Sequence, residues 1–227
     1  MTPRHLVFTI DGAAGTGKTT VAQELAKRLD TECLDTGAMY RAVAVLAVDH
    51  GLDPEDGVLL AKAIEEKGIR FDWEKRPPMI LLGDEDVSKR IRDLDISNVV
   101  SIVAKHPEVR KVLVKQQRLI SDAHPILVAE GRDQGSVVFP DAPVQFFLVA
   151  EMEERITRRV KQLRETGAEI EIASVEEDIQ ARDLIDTTRA VSPLICPDGA
   201  IQIDTSDKTI EEVTDLMENA VRSFLSA

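Results

Sequence analysis

Cysteine is scarce, with only Cys33 and Cys196 in 227 residues. Two isolated thiols exclude a disulfide framework and a cysteine-based metal site, whose ligands recur at short spacings. Both read as small buried apolar residues in a reducing compartment. Long apolar runs are also missing. None approaches the roughly 18–20 residues needed to cross a bilayer. Met1–Arg4 leads straight into a strand-like segment, so no secretory leader is expected and the chain reads as cytoplasmic. Glycine (12) and proline (10) are too few for a collagenous chain, and an apolar fraction of 43% is too high for a disordered one. Positive charge is in deficit: 28 Lys plus Arg against 41 Asp plus Glu leave a net charge of −13. That balance argues against nucleic acid as a partner. A phosphate-bearing ligand must therefore be met by local arginine clusters. The histidines, His5, His50, His106 and His124, share no ligand spacing and read as structural or exposed.

Short β-branched runs alternate with helical periods. His5–Ile10, Glu32–Leu34, Ile126–Ala129, Val144–Ala150 and Ile201–Ile203 read as strands, and Thr19–Leu29, Met152–Arg164, Ser174–Thr187 and Ile210–Leu225 as helices. This alternation predicts an α/β fold, a five-stranded parallel sheet flanked by helices. The middle of the chain breaks the pattern. A helix over Pro54–Lys67 is followed by Ile69–Trp73 and Met79–Leu82 around a turn, with Gly83–Asp86 as a second turn. Helices at about Ile96–Lys105 and Pro107–Ser121 follow, Pro107 suiting a first helical turn. The expected organisation is a core of residues 1–36 and 106–227 with an insertion at 37–105. Phe71 and Trp73 read as packing within that insertion, and Tyr40 is suited equally to packing and to ligand contact.

Gly12-Ala13-Ala14-Gly15-Thr16-Gly17-Lys18-Thr19 fits the phosphate-loop pattern G-x-x-x-x-G-K-[ST], between a predicted strand and a predicted helix. Glycines let the backbone close around phosphates, and successive N–H groups with the helix N-terminus bind the anion. Lys18 reaches the β and γ phosphates, the Thr19 hydroxyl suits Mg²⁺, and Thr20 continues the ATP-binding segment. Neither the N-K-x-D guanine reader nor the D-x-x-G switch of GTPases occurs. Size and insertion fit a small-molecule kinase. Such a loop serves equally a kinase for another acceptor or a regulatory module that holds nucleotide.

Three further constellations stand out. Asp35-Thr36-Gly37-Ala38-Met39-Tyr40-Arg41 follows a strand and precedes a helix. Glu130-Gly131-Arg132-Asp133 ends a strand, where ligands of open α/β sheets sit. Arg182, Asp186 and Arg189 share one face of a predicted helix, suited to a ligand or to a solvated ladder of ion pairs.

Together, the phosphate loop, LDTGAMYRA at Leu34–Ala42, AEGRDQGSVVFPDAPV at Ala129–Val144 and RDLIDTTRAVSPL at Arg182–Leu194 resemble bacterial cytidylate kinases over nearly the whole chain. The resemblance implies a P-loop NTPase core, an inserted monophosphate-binding subdomain and a short lid at about 155–188. It implies Mg²⁺-dependent transfer from ATP to CMP or dCMP. No heptad seam or large apolar helix face argues for a dimer, so a monomer is the expected state. By position the resemblance puts Ser101, Arg110 and Asp133 on cytosine with the Thr36 hydroxyl nearby, Arg182 and Asp186 on the sugar, and Arg41, Arg132 and Arg189 on the acceptor phosphate and the transfer path. The lid helix carries Arg155, Arg158 and Arg159, of which Arg158 is assigned to ATP. Three departures stand out: Thr36 where relatives commonly have Ser, Glu130 where many have Asp, and a less charged stretch at Leu184–Thr188.

Overall fold

The computed structural model describes residues 5–164 and 171–226. Met1–Arg4 and the middle of the expected lid, 165–170, lie outside them. Five parallel strands, β1 (Leu6–Gly12), β2 (Glu32–Asp35), β6 (Ile126–Gly131), β7 (Val144–Val149) and β8 (Ile201–Asp204), form one sheet in the order β2-β6-β1-β7-β8. β1 and β6 are central and buried along nearly their whole length, which is why both read as continuous apolar runs. β8 is an edge strand, exposed at three of its four residues.

Helices cover both faces. On one, α1 (Lys18–Arg28) and α8 (Ile210–Leu225) bring Val21, Leu25, Met217 and Val221 against Phe8, Ile10 and Phe146. The Thr209–Glu212 capping box fixes the start of α8. On the other, α2 (Thr36–Asp49) and α5 (Pro107–Asp122) place Met39 and Leu113 in one cluster with Leu127 and Ala129. Each fully buried Leu or Phe contributes about 1.5–3 kcal/mol.

Between α2 and α5 lie α3 (Gly57–Lys67), the antiparallel strands β3 (Ile69–Asp72), β4 (Met79–Leu82) and β5 (Glu85–Asp86), and α4 (Leu94–Ala104). Their apolar side chains join the core cluster: Ile64, Ile80 and Leu82 are continuous with Val7, Leu46 and Leu127. Trp73 stacks on Phe71 at 5.1 Å and meets His124 edge-on at 4.8 Å, so both aromatics are packing residues.

Several local readings need correction. The segment expected to turn at Gly83–Asp86 turns at Gly83 and then pairs a third strand, Leu82 with Glu85 and Leu81 with Asp86. Two residues are too few to display a strand period. α3 starts at Gly57, capped by the Asp56 side chain accepting from Leu59 N, and Pro54 lies outside it. Asp35–Arg41 does not precede a helix: Asp35 caps α2 by accepting from Ala38 N, and Thr36–Arg41 are its first turns. Cys33 is buried as expected, whereas Cys196 is exposed, in the proline-flanked loop before β8. Helices α6 (Met152–Arg164) and α7 (Ile172–Thr188) complete the fold. Among the described residues no helix is long and apolar enough to cross a membrane.

Candidate active site

The parallel register brings three strand ends together, with Asp11 beside Gly131 and Asp35 beside Glu130. The phosphate loop leaves β1 at this point. Gly12 admits no side chain, because a Cβ there would lie 2.3 Å from the Leu148 carbonyl oxygen. Gly15 and Gly17 have φ of +79° and +88°, the left-handed region that glycine tolerates. The Thr16 hydroxyl donates to Ala13 O (3.0 Å), and the Thr205 hydroxyl donates to Thr16 O (3.1 Å).

Lys18 is buried, and its Nζ donates to Ala13 O at 2.6 Å. Burial, with Arg132 nearby, holds its pKa below the usual lysine value. The Thr19 hydroxyl donates to Glu130 Oε1 at 2.6 Å. Burial, reinforced by Asp35, pushes the Glu130 carboxyl well above the usual range. A hydroxyl and a carboxylate side by side are hard oxygen donors of the kind Mg²⁺ accepts.

Opposite this loop lies a buried ion pair. Arg110 Nη2 donates to Asp133 Oδ2 at 2.5 Å, with both side chains only 3% exposed. Arg110 also donates to Ala104 O at 3.1 Å, and its guanidinium lies 5.1 Å from the centre of the Tyr40 ring. Its Nε and the Nη2 of Arg189 are buried donors with no partner among the described residues. Buried donors of this kind are costly unless a ligand accepts from them.

A ring of arginines joins the two halves. Asp186 takes Arg132 Nε (2.9 Å) on one oxygen and Arg189 Nη1 (3.3 Å) on the other. Ser97, on α4, accepts from Arg41 at its hydroxyl (2.9 Å) and from Arg182 at its carbonyl (2.8 Å). Burial, then Arg182, brings Arg41 down to about 10. Burial, then the same Arg182, lowers Arg159. Guanidinium groups that depress one another mark a place where an anion is favoured.

These features match one family. The family model for cytidylate kinase covers residues 8–223. The chain belongs to the cytidylate kinase family. Curated cytidylate kinases similar to it include one from Caldanaerobacter subterraneus subsp. tengcongensis, 45% identical over 95% of this chain and 94% of the relative. Another, from Shewanella sp. (strain MR-4), is 42% identical over 100% and 99%. A third, from Streptococcus pyogenes serotype M5 (strain Manfredo), is 43% identical over 98% of each.

In this family member, most of the expected site residues converge on the strand ends. Arg110 and Asp133 meet directly, and Arg132 and Arg189 meet through Asp186. Arg41 and Arg182 meet through Ser97. Arg189 caps α7 with extended geometry, so it leaves the helical face that Arg182 and Asp186 share. Ser101 is half-buried on α4, one turn before Ala104. Thr36 stands apart. Its hydroxyl is buried, donates to Glu130 O at 2.7 Å and accepts from Gln134 Nε2 at 3.3 Å, so it ties α2 to β6. Thr20 is exposed on the first turn of α1. Arg158 donates to Thr205 Oγ1 (2.9 Å) and O (2.6 Å) beside Gly17, while Arg159 turns to Gln162.

Sequence reasoning missed Arg155 as the arginine that touches the phosphate loop: its Nε donates to Ala14 O (2.6 Å) and its Nη2 to Asp183 (2.5 Å). It also missed Ser97 as the residue shared by Arg41 and Arg182. The helical spacing of Arg155, Arg158 and Arg159 identified the face but could not rank them. Ser97 gave no signal, being one small polar residue in an apolar helix.

Proposed function

We propose that this member of the family transfers the γ-phosphoryl group of ATP to CMP or dCMP, releasing ADP and CDP or dCDP. The buried Arg110–Asp133 pair carries this reading. Cytosine presents an amino donor at position 4 and acceptors at N3 and O2. A carboxylate takes the amino hydrogen, and a guanidinium gives two parallel N–H bonds to the acceptors. Uracil reverses position 4 and N3, which sets an N–H against Arg110 and a carbonyl against Asp133. Unpaired groups in so dry a place cost several kcal/mol. Ser101 joins this base site, and Arg182 with Asp186 holds the sugar.

On the donor side, residues Gly12–Thr20 enclose the ATP phosphates and Arg158 lies against them. Lys18 exchanges its bond to Ala13 O for phosphate oxygens. Thr19, with Glu130 behind it, would hold Mg²⁺, which when bound would neutralise phosphate charge. An acceptor-phosphate oxygen attacks the γ phosphorus in line, and the bond to the β-bridging oxygen breaks. Arg41, Arg132 and Arg189 hold the acceptor phosphate and balance the charge that develops. No protein base is required, because that phosphate is already largely ionised near neutral pH. Residues 37–105 serve as the acceptor-binding part, 1–36 and 106–227 as the core, and the protein acts as a cytoplasmic monomer. ³¹P NMR of an ATP, Mg²⁺ and CMP mixture tests the reading. Growth of the CDP and ADP β-phosphate signals supports it, and inorganic phosphate as the only new signal overturns it.

A further inference from the structure

Asp11, the last residue of β1 before Gly12, is not part of the phosphate-loop pattern, and the chemistry above does not use it. Yet it is buried, and its carboxylate is bidentate: Oδ1 accepts from Gln134 N at 2.8 Å and Oδ2 from Gly135 N at 2.7 Å. These are the first two N–H groups of a π-helical turn, Gln134–Val138, which begins where Arg132 and Asp133 end. A helical N-terminus leaves its first N–H groups without backbone partners. Here a carboxylate from another strand satisfies two of them and also meets the positive end of the turn. The far end of the turn is held from α5, where Arg118 donates to Val138 O and Val137 O, each at 3.0 Å.

The geometry points to Asp11 as a positioning residue that fixes the Arg132–Asp133 segment, and so the base and acceptor-phosphate contacts, against the phosphate loop. The inference rests on the CMP kinase reading and deepens it. One residue links the two sites through rigid backbone. On its C-terminal side it continues into Gly12, whose backbone packs so closely on the Leu148 carbonyl that no Cβ fits between them. On the other it grips the peptide groups that follow Asp133. Both carboxylate oxygens of Asp11 are taken by these backbone N–H groups. Its influence passes through where Asp133 and Arg132 stand. Burial is the largest influence on the Asp11 carboxyl and raises it to about 6. The charge is thus held there at a cost, as expected of a group whose contacts matter more than its own solvation.

Asp11→Asn tests the inference. It keeps the size of the side chain and one acceptor oxygen, and turns an amide N–H toward one of the two backbone N–H groups. Thermal melting first establishes that the variant is folded at the assay temperature. The expected result is a KM for CMP raised at least tenfold and a CMP-over-UMP preference reduced at least fivefold, with the KM for ATP within twofold of the parent. A folded variant with CMP parameters and selectivity within twofold of the parent overturns the inference. Asp11→Glu is the second variant. It retains the charge but displaces both oxygens by a methylene, and the same CMP-specific loss is expected. Should neither fold, amide exchange of the unaltered protein decides. Exchange at Gln134 and Gly135 slowed by CMP and not by ATP supports the inference, and exchange unaffected by CMP overturns it. A parent protein that makes no CDP instead overturns the reading of the site, a separate result visible before any variant is made.

Discussion

Replacing Arg110 with methionine probes the base site and the fold together. The guanidinium donates to Asp133 and Ala104 O and lies over the Tyr40 ring. Methionine fills much of the volume but leaves the Asp133 carboxylate buried without its counter-ion. Removing one partner of such a pair costs about 3–5 kcal/mol. At about 2–4 °C per kcal/mol for a chain of this size, melting should fall by roughly 6–20 °C. Activity isolates the second effect. The lost donors are charged, and a hydrogen bond to a charged group is worth about 1.5–3 kcal/mol. The ratio of kcat/KM for CMP over UMP should therefore drop by roughly 10–150-fold, while the KM for ATP stays within twofold. The assay is ADP release below the variant's melting range with each acceptor in turn. A variant that melts early but keeps the parent's CMP-over-UMP ratio would refute the base-reading role and leave the pair as structure alone. A double variant, Arg110→Met with Asp133→Leu, should recover part of the lost stability, since no lone charge remains buried, but none of the selectivity.

Other outcomes follow from the same geometry. With Lys18 on the transferring phosphate, as proposed, Lys18→Ala should lower kcat by roughly 10²–10³-fold with CMP affinity nearly unchanged; steady-state kinetics and CMP titration calorimetry check both halves. Arg155→Ala should raise the KM for ATP and leave base selectivity intact, since Arg155 holds Ala14 O; acceptor-panel kinetics would contradict this if selectivity fell instead. A pH effect should attach to Asp11, raised from 3.8 to about 6. The native state keeps that proton over a range where the unfolded chain has lost it, so the group's cost is full above about pH 6 and vanishes below about pH 4. Relative to Asp11→Asn, the parent should gain about 2 kcal/mol between pH 7 and pH 4. Urea melts of both proteins at the two pH values measure it, and a constant difference would contradict the buried charge.

The sheet was legible because each central strand is buried on both faces and reads as an uninterrupted apolar run. Five strands and the main helices are where periodicity and punctuation put them, and α6 and α8 match to the residue. What escaped was short or held by distant partners. β5 is a two-residue strand that exists only because β4 offers it an edge. The π-helical turn after Asp133 carries no periodic signal, since its ends are held by Asp11 and Arg118 from elsewhere in the chain. The phosphate loop could be found from its own residues, because local backbone geometry demands its glycines. The acceptor residues could not: nothing in the spacing of Arg110 and Asp133 announces a buried pair. They were expected only from the family resemblance, by position, Arg110 lying outside the three motifs that carry it. Thr36 shows what no motif displays, a hydroxyl that donates to Glu130 O and so joins α2 to β6.

The most direct measurement of the central claim is ADP release from ATP and Mg²⁺ with CMP, dCMP, UMP, AMP, GMP and dTMP as separate acceptors. The account predicts strong stimulation by CMP and dCMP and little by the other four. Equal rates with UMP and CMP would contradict the Arg110–Asp133 readout while sparing the phosphate loop, and stimulation by none of the six would contradict the kinase assignment itself.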